Sequence, residues 1–158
     1  MSDYKIVIVQ PSEIDDAVNK KGGLNLNWLE AHKAAEIINA LKPEEAILDC
    51  PSTNIPAFSS YVKKLLTVDV KLIAEHKADL NYPVVSAASI IAKVTRDAEV
   101  QKIKMALKED VGSGYPADPT TQRFLEKFWD KHQEVFRHSW ESYKKVAGLK
   151  KQKKLGDF

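Results

Sequence analysis

The sequence predicts an α/β fold, on three observations. Short apolar runs at 5–10, 46–48 and 68–74 have the length and composition of buried strands. Longer stretches with apolar residues at helical spacing separate and follow them. Strands alternating with helices favour neighbouring parallel strands, joined by right-handed crossovers.

Taken in order, Lys5–Gln10 (Ile6, Val7, Ile8, Val9) reads as the first buried strand, stopped by Pro11. Ser12 with Glu13 through Asp16 opens a short helical turn, and Lys20-Lys21-Gly22-Gly23 is a loop. Leu24–Leu41 is a helix, with Leu26, Leu29, Ala34, Ile37, Ile38 and Leu41 at helical spacing and Pro43 after its stop. Ala46-Ile47-Leu48 is the second strand, with Asp49 at its C-terminal end, and Cys50–Asn54 is a loop. Phe58–Leu66 is a helix that turns Phe58, Val62, Leu65 and Leu66 inward. Val68–Ala74 is the third strand, and Asp79 falls where that strand ends. Pro83 breaks the chain, and the small residues Ser86–Ala92 open a long helix to about Lys108 that carries Lys93 and Arg96. Gly112–Pro119 is a turn-rich loop around Tyr115. Thr120–His132 is an amphipathic helix with Phe124, Leu125, Phe128 and Trp129 on one face, and a last helix covers Ser139–Ala147.

At 158 residues the chain is long enough for one domain with a sizeable core. A net charge of +2 identifies no partner. The distribution says more: six lysines and no acid lie between Lys144 and Lys154, which reads as a basic tail or a solvated, frayed end. A single cysteine, Cys50, excludes an internal disulfide and argues against a cysteine-based zinc site. No apolar run reaches transmembrane length, and Met-Ser-Asp-Tyr-Lys lacks the apolar core of a signal peptide. Together these read as a cytoplasmic protein.

Asp49 and Asp79 are the first candidates for chemistry. Each ends an expected strand, and parallel strands place their C-terminal ends on one edge, where open α/β sheets hold their sites. Two carboxylates there suit Mg²⁺, which takes one or two carboxylates with water and phosphate oxygens; helix caps and loop acids look the same. Lys93 and Arg96, three apart on one helix, suit phosphates or form a solvated face paired with Asp97 or Glu99. His76 beside Lys77 fits a proton shuttle or a plain surface histidine. Tyr115, between glycine and proline, is presented as a stacking platform would be, although ordinary loop packing explains it as well.

Three stretches carry a family resemblance: His76-Lys-Ala-Asp79, the run from Tyr82-Pro-Val-Val-Ser to Lys93-Val-Thr-Arg96-Asp97, and Gly112-Ser-Gly-Tyr-Pro-Ala-Asp-Pro119. They resemble the signatures of type 2 ribonuclease H (ribonuclease HII), and most of all its archaeal branch. Leu24-Asn25, the strand ending at Asp49 and Arg137-His-Ser-Trp140 also fit, in the family's order, over about residues 3–147. The resemblance implies a ribonuclease H-like fold and cleavage of RNA in RNA–DNA hybrids, or on the 5′ side of single ribonucleotides in duplex DNA. It implies four carboxylates holding two divalent ions, Mg²⁺ or Mn²⁺, that activate water and stabilise the leaving oxygen. Asp49 is similar to the third of these carboxylates and Asp79 to the fourth. Tyr115 resembles the tyrosine that packs on the sugar beside the ribonucleotide. Lys93 and Arg96 fall in the segment that borders the nucleic-acid backbone.

The resemblance also implies what this sequence lacks. The family begins with a strand bearing Asp-Glu-Ala-Gly-Arg-Gly, followed by a second strand and an Asp-Ser-Lys motif; none is found here. The expected fold is therefore a ribonuclease H-like core with the first two strands missing (1–110), a C-terminal helical substrate-binding region (111–147) and a basic tail (148–158). Two metal carboxylates and most of the 2′-hydroxyl reader are absent, so weak metal binding and little activity are expected from this chain alone. Nothing around Asp15 or Asp16 matches the lost motif. Unpaired apolar strand edges seek partners, so an N-terminal half in trans, self-association or a rearranged first strand is expected. The alternative is a non-catalytic remnant that binds hybrid duplex or a sliding clamp. The end of the chain, with Gln152, Leu155 and Phe158, resembles a sliding-clamp (PCNA) binding peptide, with one aromatic where that motif takes two.

Overall fold

The computed structural model describes residues 4–156, with side chains through Gly148. It divides into two compact units. One comprises the chain up to Val9 with Lys20–Lys93, the other Gln10–Asn19 with the chain from Val94 onward. The division falls inside a long helix that the expected boundary at 110 keeps whole.

The first unit is built on two parallel strands, β1 (Glu45–Asp49) and β2 (Lys71–Glu75), paired in register from Glu45 opposite Lys71 to Asp49 opposite Glu75. Glu45 and Lys71 form an ion pair across the first rung, the kind of cross-strand pair that helps fix register. Hydrogen bonds from the Cys50 amide to the Glu75 carbonyl (2.9 Å) and from the Lys71 amide to the Glu44 carbonyl (2.9 Å) extend the ladder at both ends. The helix α2 (Leu26–Leu41) starts at Asn25, whose side chain accepts from the Trp28 amide at 3.0 Å. It ends at Lys42 in the left-handed region, φ +49°. The helix α3 (Ile55–Leu65) begins at Asn54, which caps the Ala57 amide, and Pro56 suits its first turn. Ala31 and Ile38 of α2, Phe58 and Val62 of α3, Ala46 of β1 and Cys50 form one core. Leu41, at helical spacing in the sequence, is exposed at the helix end.

One expected element is not formed. Residues 5–10 make no strand; Tyr4 is 72% exposed and Ile8 49%. A strand needs a ladder partner, and among the described residues the sheet holds β1 and β2 only.

After β2 the chain turns through Lys77, a non-glycine residue at φ +57°, into the short helix α4 (Ala78–Asn81). Asp79 therefore sits in a helical turn rather than at a strand end. Helix α5 (Pro83–Leu107) follows, with Pro83 at its start, and runs from the first unit into the second.

The second unit contains the helix α1 (Pro11–Val18), the amphipathic helix α6 (Pro119–Phe128) and the helix α7 (Glu141–Gly156). The expected tail from 148 is thus helical through Gly156. Val111, Phe124, Leu125, Phe128, Phe136 and Tyr143 form its core. Phe124 packs on Phe128 and Phe136 with ring centres 5.0 and 5.4 Å apart.

Phe58, only 2% exposed, anchors the first core. Phe58→Ala is expected to cost about 3–5 kcal/mol, the range for emptying a buried aromatic site, read as a lowered urea midpoint for the transition that reports this unit.

Candidate functional site

In the first unit, the parallel register sets what meets at the C-terminal edge. Asp49 and Glu75 are opposite each other at the last rung. Asp49 Oδ1 accepts the Lys77 backbone N–H at 2.9 Å, and α4 packs against β1. The left-handed Lys77 turns its amide toward Asp49 and starts the helical turn that carries Asp79. The two acids picked out in the sequence are thereby held on adjoining segments of one edge, Asp49 exposed and Asp79 partly covered. Glu75 turns away to other partners: its Oε1 accepts from Asn81 Nδ2 at 2.7 Å and its Oε2 from the Tyr82 hydroxyl at 3.5 Å. His76 Nδ1 lies 3.0 Å from the Cys50 carbonyl, so this histidine helps tie the two strand ends together. Lys93 lies exposed on α5.

Asp49 and Asp79 offer hard oxygen donors of the kind that suit one Mg²⁺ completed by water and phosphate oxygens. Among the described residues, no group of three or more His, Cys, Asp or Glu is placed to hold a metal ion. A two-ion site needs more donors than these residues bring together.

In the second unit, the Gly112–Pro119 loop is fixed from several sides. Asp118 Oδ2 accepts the Ser113 amide at 2.6 Å, and its Oδ1 accepts the Thr120 amide at 2.8 Å, capping α6. Thr121 Oγ1 accepts the Gly114 amide at 3.0 Å and donates to the Val111 carbonyl at 2.9 Å. Gly112 has φ +70°, and a Cβ there would lie 2.6 Å from the Thr121 backbone nitrogen. No side chain fits that space, so glycine is required. Tyr115, half exposed, is presented at the loop tip. Arg96 turns onto this loop, with its guanidinium carbon 3.8 Å from the centre of the Tyr115 ring. A cavity of about 450 Å³ opens beside Tyr115, bordered by Arg96, Phe136 and Trp140.

Sequence reasoning missed the backbone-holding roles of Asp118 and Asp15. Asp118 stands before Pro119, the Asp-Pro signature of a helix start, so its capping role was visible in principle. Asp15 accepts the backbone N–H groups of His138 at 2.7 Å and Ser139 at 2.9 Å, a pairing across the chain that no local pattern signals. Partial burial opposes ionisation of Asp15, but the bonds from Ser139 and His138 outweigh it and hold its carboxyl below the ordinary value. Asp15 thus serves the segment that leads into α7.

The structure defines a mixed helix–strand protein with a small parallel sheet that ends in Asp49 and Glu75 at one edge. The sequence profile of Ribonuclease HII matches residues 4–143. The ribonuclease HII of Pyrococcus furiosus is 45% identical over 157 residues, spanning 96% of this chain and 67% of that protein. The crystal structure of ribonuclease H2 from Pyrococcus horikoshii OT3 is similar with a TM-score of 0.78 and 38% identity, covering 90% of this chain and 67% of that one. The structure of the PCNA:RNase HII complex from Archaeoglobus fulgidus is similar with a TM-score of 0.73 and 35% identity, covering 84% and 64%. The chain belongs to the ribonuclease HII family. It spans about two thirds of the length of the curated relatives it matches.

The Ser113 and Thr120 amides hold Asp118 down to a pKa of about 2. Its folded pKa lies below the unfolded one, so the carboxylate's contribution is complete above about pH 4. It is lost as the pH falls through about 2. Asp118→Ala is therefore expected to flatten the fall in melting temperature between these limits, followed by circular dichroism.

Proposed function

We propose that this chain carries part of a ribonuclease HII-like endonuclease that cleaves RNA in RNA–DNA hybrids and 5′ of ribonucleotides embedded in duplex DNA. The observation that supports it most is the Asp49–Lys77 hydrogen bond, which ties Asp49 to the segment bearing Asp79. In this reading residues 1–110 supply the catalytic core, 111–147 the substrate-binding region and 148–158 a basic tail. Asp49 and Asp79 hold Mg²⁺ or Mn²⁺ beside the scissile phosphate. Such an ion, when bound, activates water and stabilises the leaving oxygen. Asp49 is kept in place by the Lys77 amide, which leaves its second oxygen to face the ion. Lys93, exposed on α5, balances phosphate charge, and Arg96 borders the duplex in the same segment. Tyr115 meets the sugar of the duplex on a loop locked by Asp118. The protein acts in the cytoplasm, in DNA replication and repair.

In this reading the remaining metal carboxylates are supplied from outside these 158 residues. Apolar side chains exposed on the first unit are consistent with a partner there: Leu80 is 75% exposed and Ile90 61%, besides Tyr4, Ile6 and Ile8.

A sliding clamp is a second partner in this reading, through Gln152, Leu155 and Phe158. The Gln152 and Leu155 side chains and the whole of Phe158 lie outside the described residues. The likeness to the ribonuclease in the PCNA complex supports it.

The second reading is a non-catalytic remnant that binds hybrid duplex or clamp. The observation that favours it is the absence, among the described residues, of a three-donor metal group.

Cleavage of a DNA duplex with one ribonucleotide, in Mg²⁺ or Mn²⁺, separates the two. The first reading expects cleavage when the chain is mixed with a polypeptide bearing the Asp-Glu-Ala-Gly-Arg-Gly strand. It also expects a loss of more than about 100-fold in the mixture with Asp79→Asn. Full activity of that variant contradicts the assignment. No cleavage in any mixture favours the remnant.

A further inference from the structure

We infer that Arg96 is a positioning residue, which acts on nucleic acid through Tyr115 and not by binding a phosphate itself. This rests on Tyr115 being the face that meets the duplex. One guanidinium nitrogen of Arg96, Nη1, is held by the protein. Its Nη1 donates to the Ser113 carbonyl at 2.8 Å and to Asp97 Oδ1 at 3.2 Å. The guanidinium carbon lies over the tyrosine ring, 3.8 Å from its centre. The charge thus rests against a neighbouring carboxylate, a carbonyl and a π-face of the protein itself.

The loop is built around this contact. Gly114, at φ +73°, passes so close that a Cβ would lie 3.0 Å from Arg96 Nη2 and 3.3 Å from Val100 Cγ2. A side chain there would press on the guanidinium, and the positive φ itself favours glycine. Asp118 holds the same loop from the other side through the Ser113 amide. Ser113 is therefore gripped at both its backbone groups, by Asp118 at N–H and Arg96 at C=O. Tyr115, two residues on, is supported on one ring face and half exposed. A ring fixed before binding needs less ordering when the sugar arrives. A lysine cannot do this, because it has no planar group to stack while donating sideways.

The test is a double-mutant cycle read by fluorescence anisotropy. The labelled DNA duplex carries one ribonucleotide, no divalent ion is added, and binding is measured over a series of salt concentrations. Tyr115→Ala is expected to weaken binding about tenfold, as loss of an aromatic stack does. Arg96→Met is expected to weaken it about fivefold, the size of a lost cation–π contact, with the salt slope unchanged. In the Tyr115→Ala background, Arg96→Met is expected to add nothing, because both changes remove one element. Arg96→Lys keeps the charge and is expected to lose as much as Arg96→Met; it carries the test if the methionine variant fails to fold.

An additive effect in the double variant, with the salt slope reduced by about one, would make Arg96 a direct phosphate contact and overturn the inference. Full binding by Arg96→Lys would overturn it too. If Arg96→Met binds normally while Tyr115→Ala does not, the inference fails and the role of Tyr115 stands. If Tyr115→Ala itself binds normally, the reading of Tyr115 fails first, and the inference with it.

Discussion

The parallel register of β1 and β2 is the constraint on which the first unit depends. With Glu45 opposite Lys71, Asp49 must stand opposite Glu75 at the last rung. The backbone leaving β2 then passes beside Asp49, and its Lys77 amide is within reach of the carboxylate. A slip of one residue would turn every side chain of β2 to the other face. It would turn Leu72 and Ala74 away from the core of Ala46, Phe58 and Val62, and the turn before Asp79 away from Asp49. Core packing and the pairing of the acids are therefore consequences of one ladder.

The second unit uses a different device. Its aromatic core leaves the Gly112–Pro119 loop at the surface, where chain entropy would keep it loose. Three groups replace that freedom with fixed geometry: Asp118 on the Ser113 and Thr120 amides, Thr121 on Gly114, and Arg96 on the Ser113 carbonyl. Glycine at 112 and 114 is what lets these groups come so close. The outcome is a half-exposed tyrosine presented on a hydrogen-bonded loop, as the proposed contact with a sugar would need.

Much of this was legible in the sequence, for reasons tied to particular residues. Pro83 and the small-residue run behind it mark the start of α5, and Ala46–Leu48 mark β1, because local punctuation and apolar content suffice there. The position of Asp49 at the end of β1 was also legible, since a strand end can be counted. Residues 5–10 misled, because an apolar run states burial but cannot name a ladder partner. Asp79 was placed at a strand end instead of in α4, because the turn is made by Lys77 in a left-handed conformation that no glycine or asparagine announces. The inward use of Arg96 could not be read from helical spacing, which gives a face of the helix and not what crosses it 17 residues later. Asp15 escaped for the same reason, its partners lying 123 and 124 residues away.

The central claim is that Asp49 and Asp79 form one site for a divalent ion. Paramagnetic broadening by Mn²⁺ in a ¹⁵N-labelled sample of this chain tests it most directly. The amide signals of Asp49, Cys50, Lys77 and Asp79 should broaden at the lowest Mn²⁺ concentrations, and Asp79→Asn should abolish that effect while leaving their shifts close to those of the parent. Broadening that begins instead at the exposed acids Asp110 or Asp97, or that persists unchanged in Asp79→Asn, would contradict the claim.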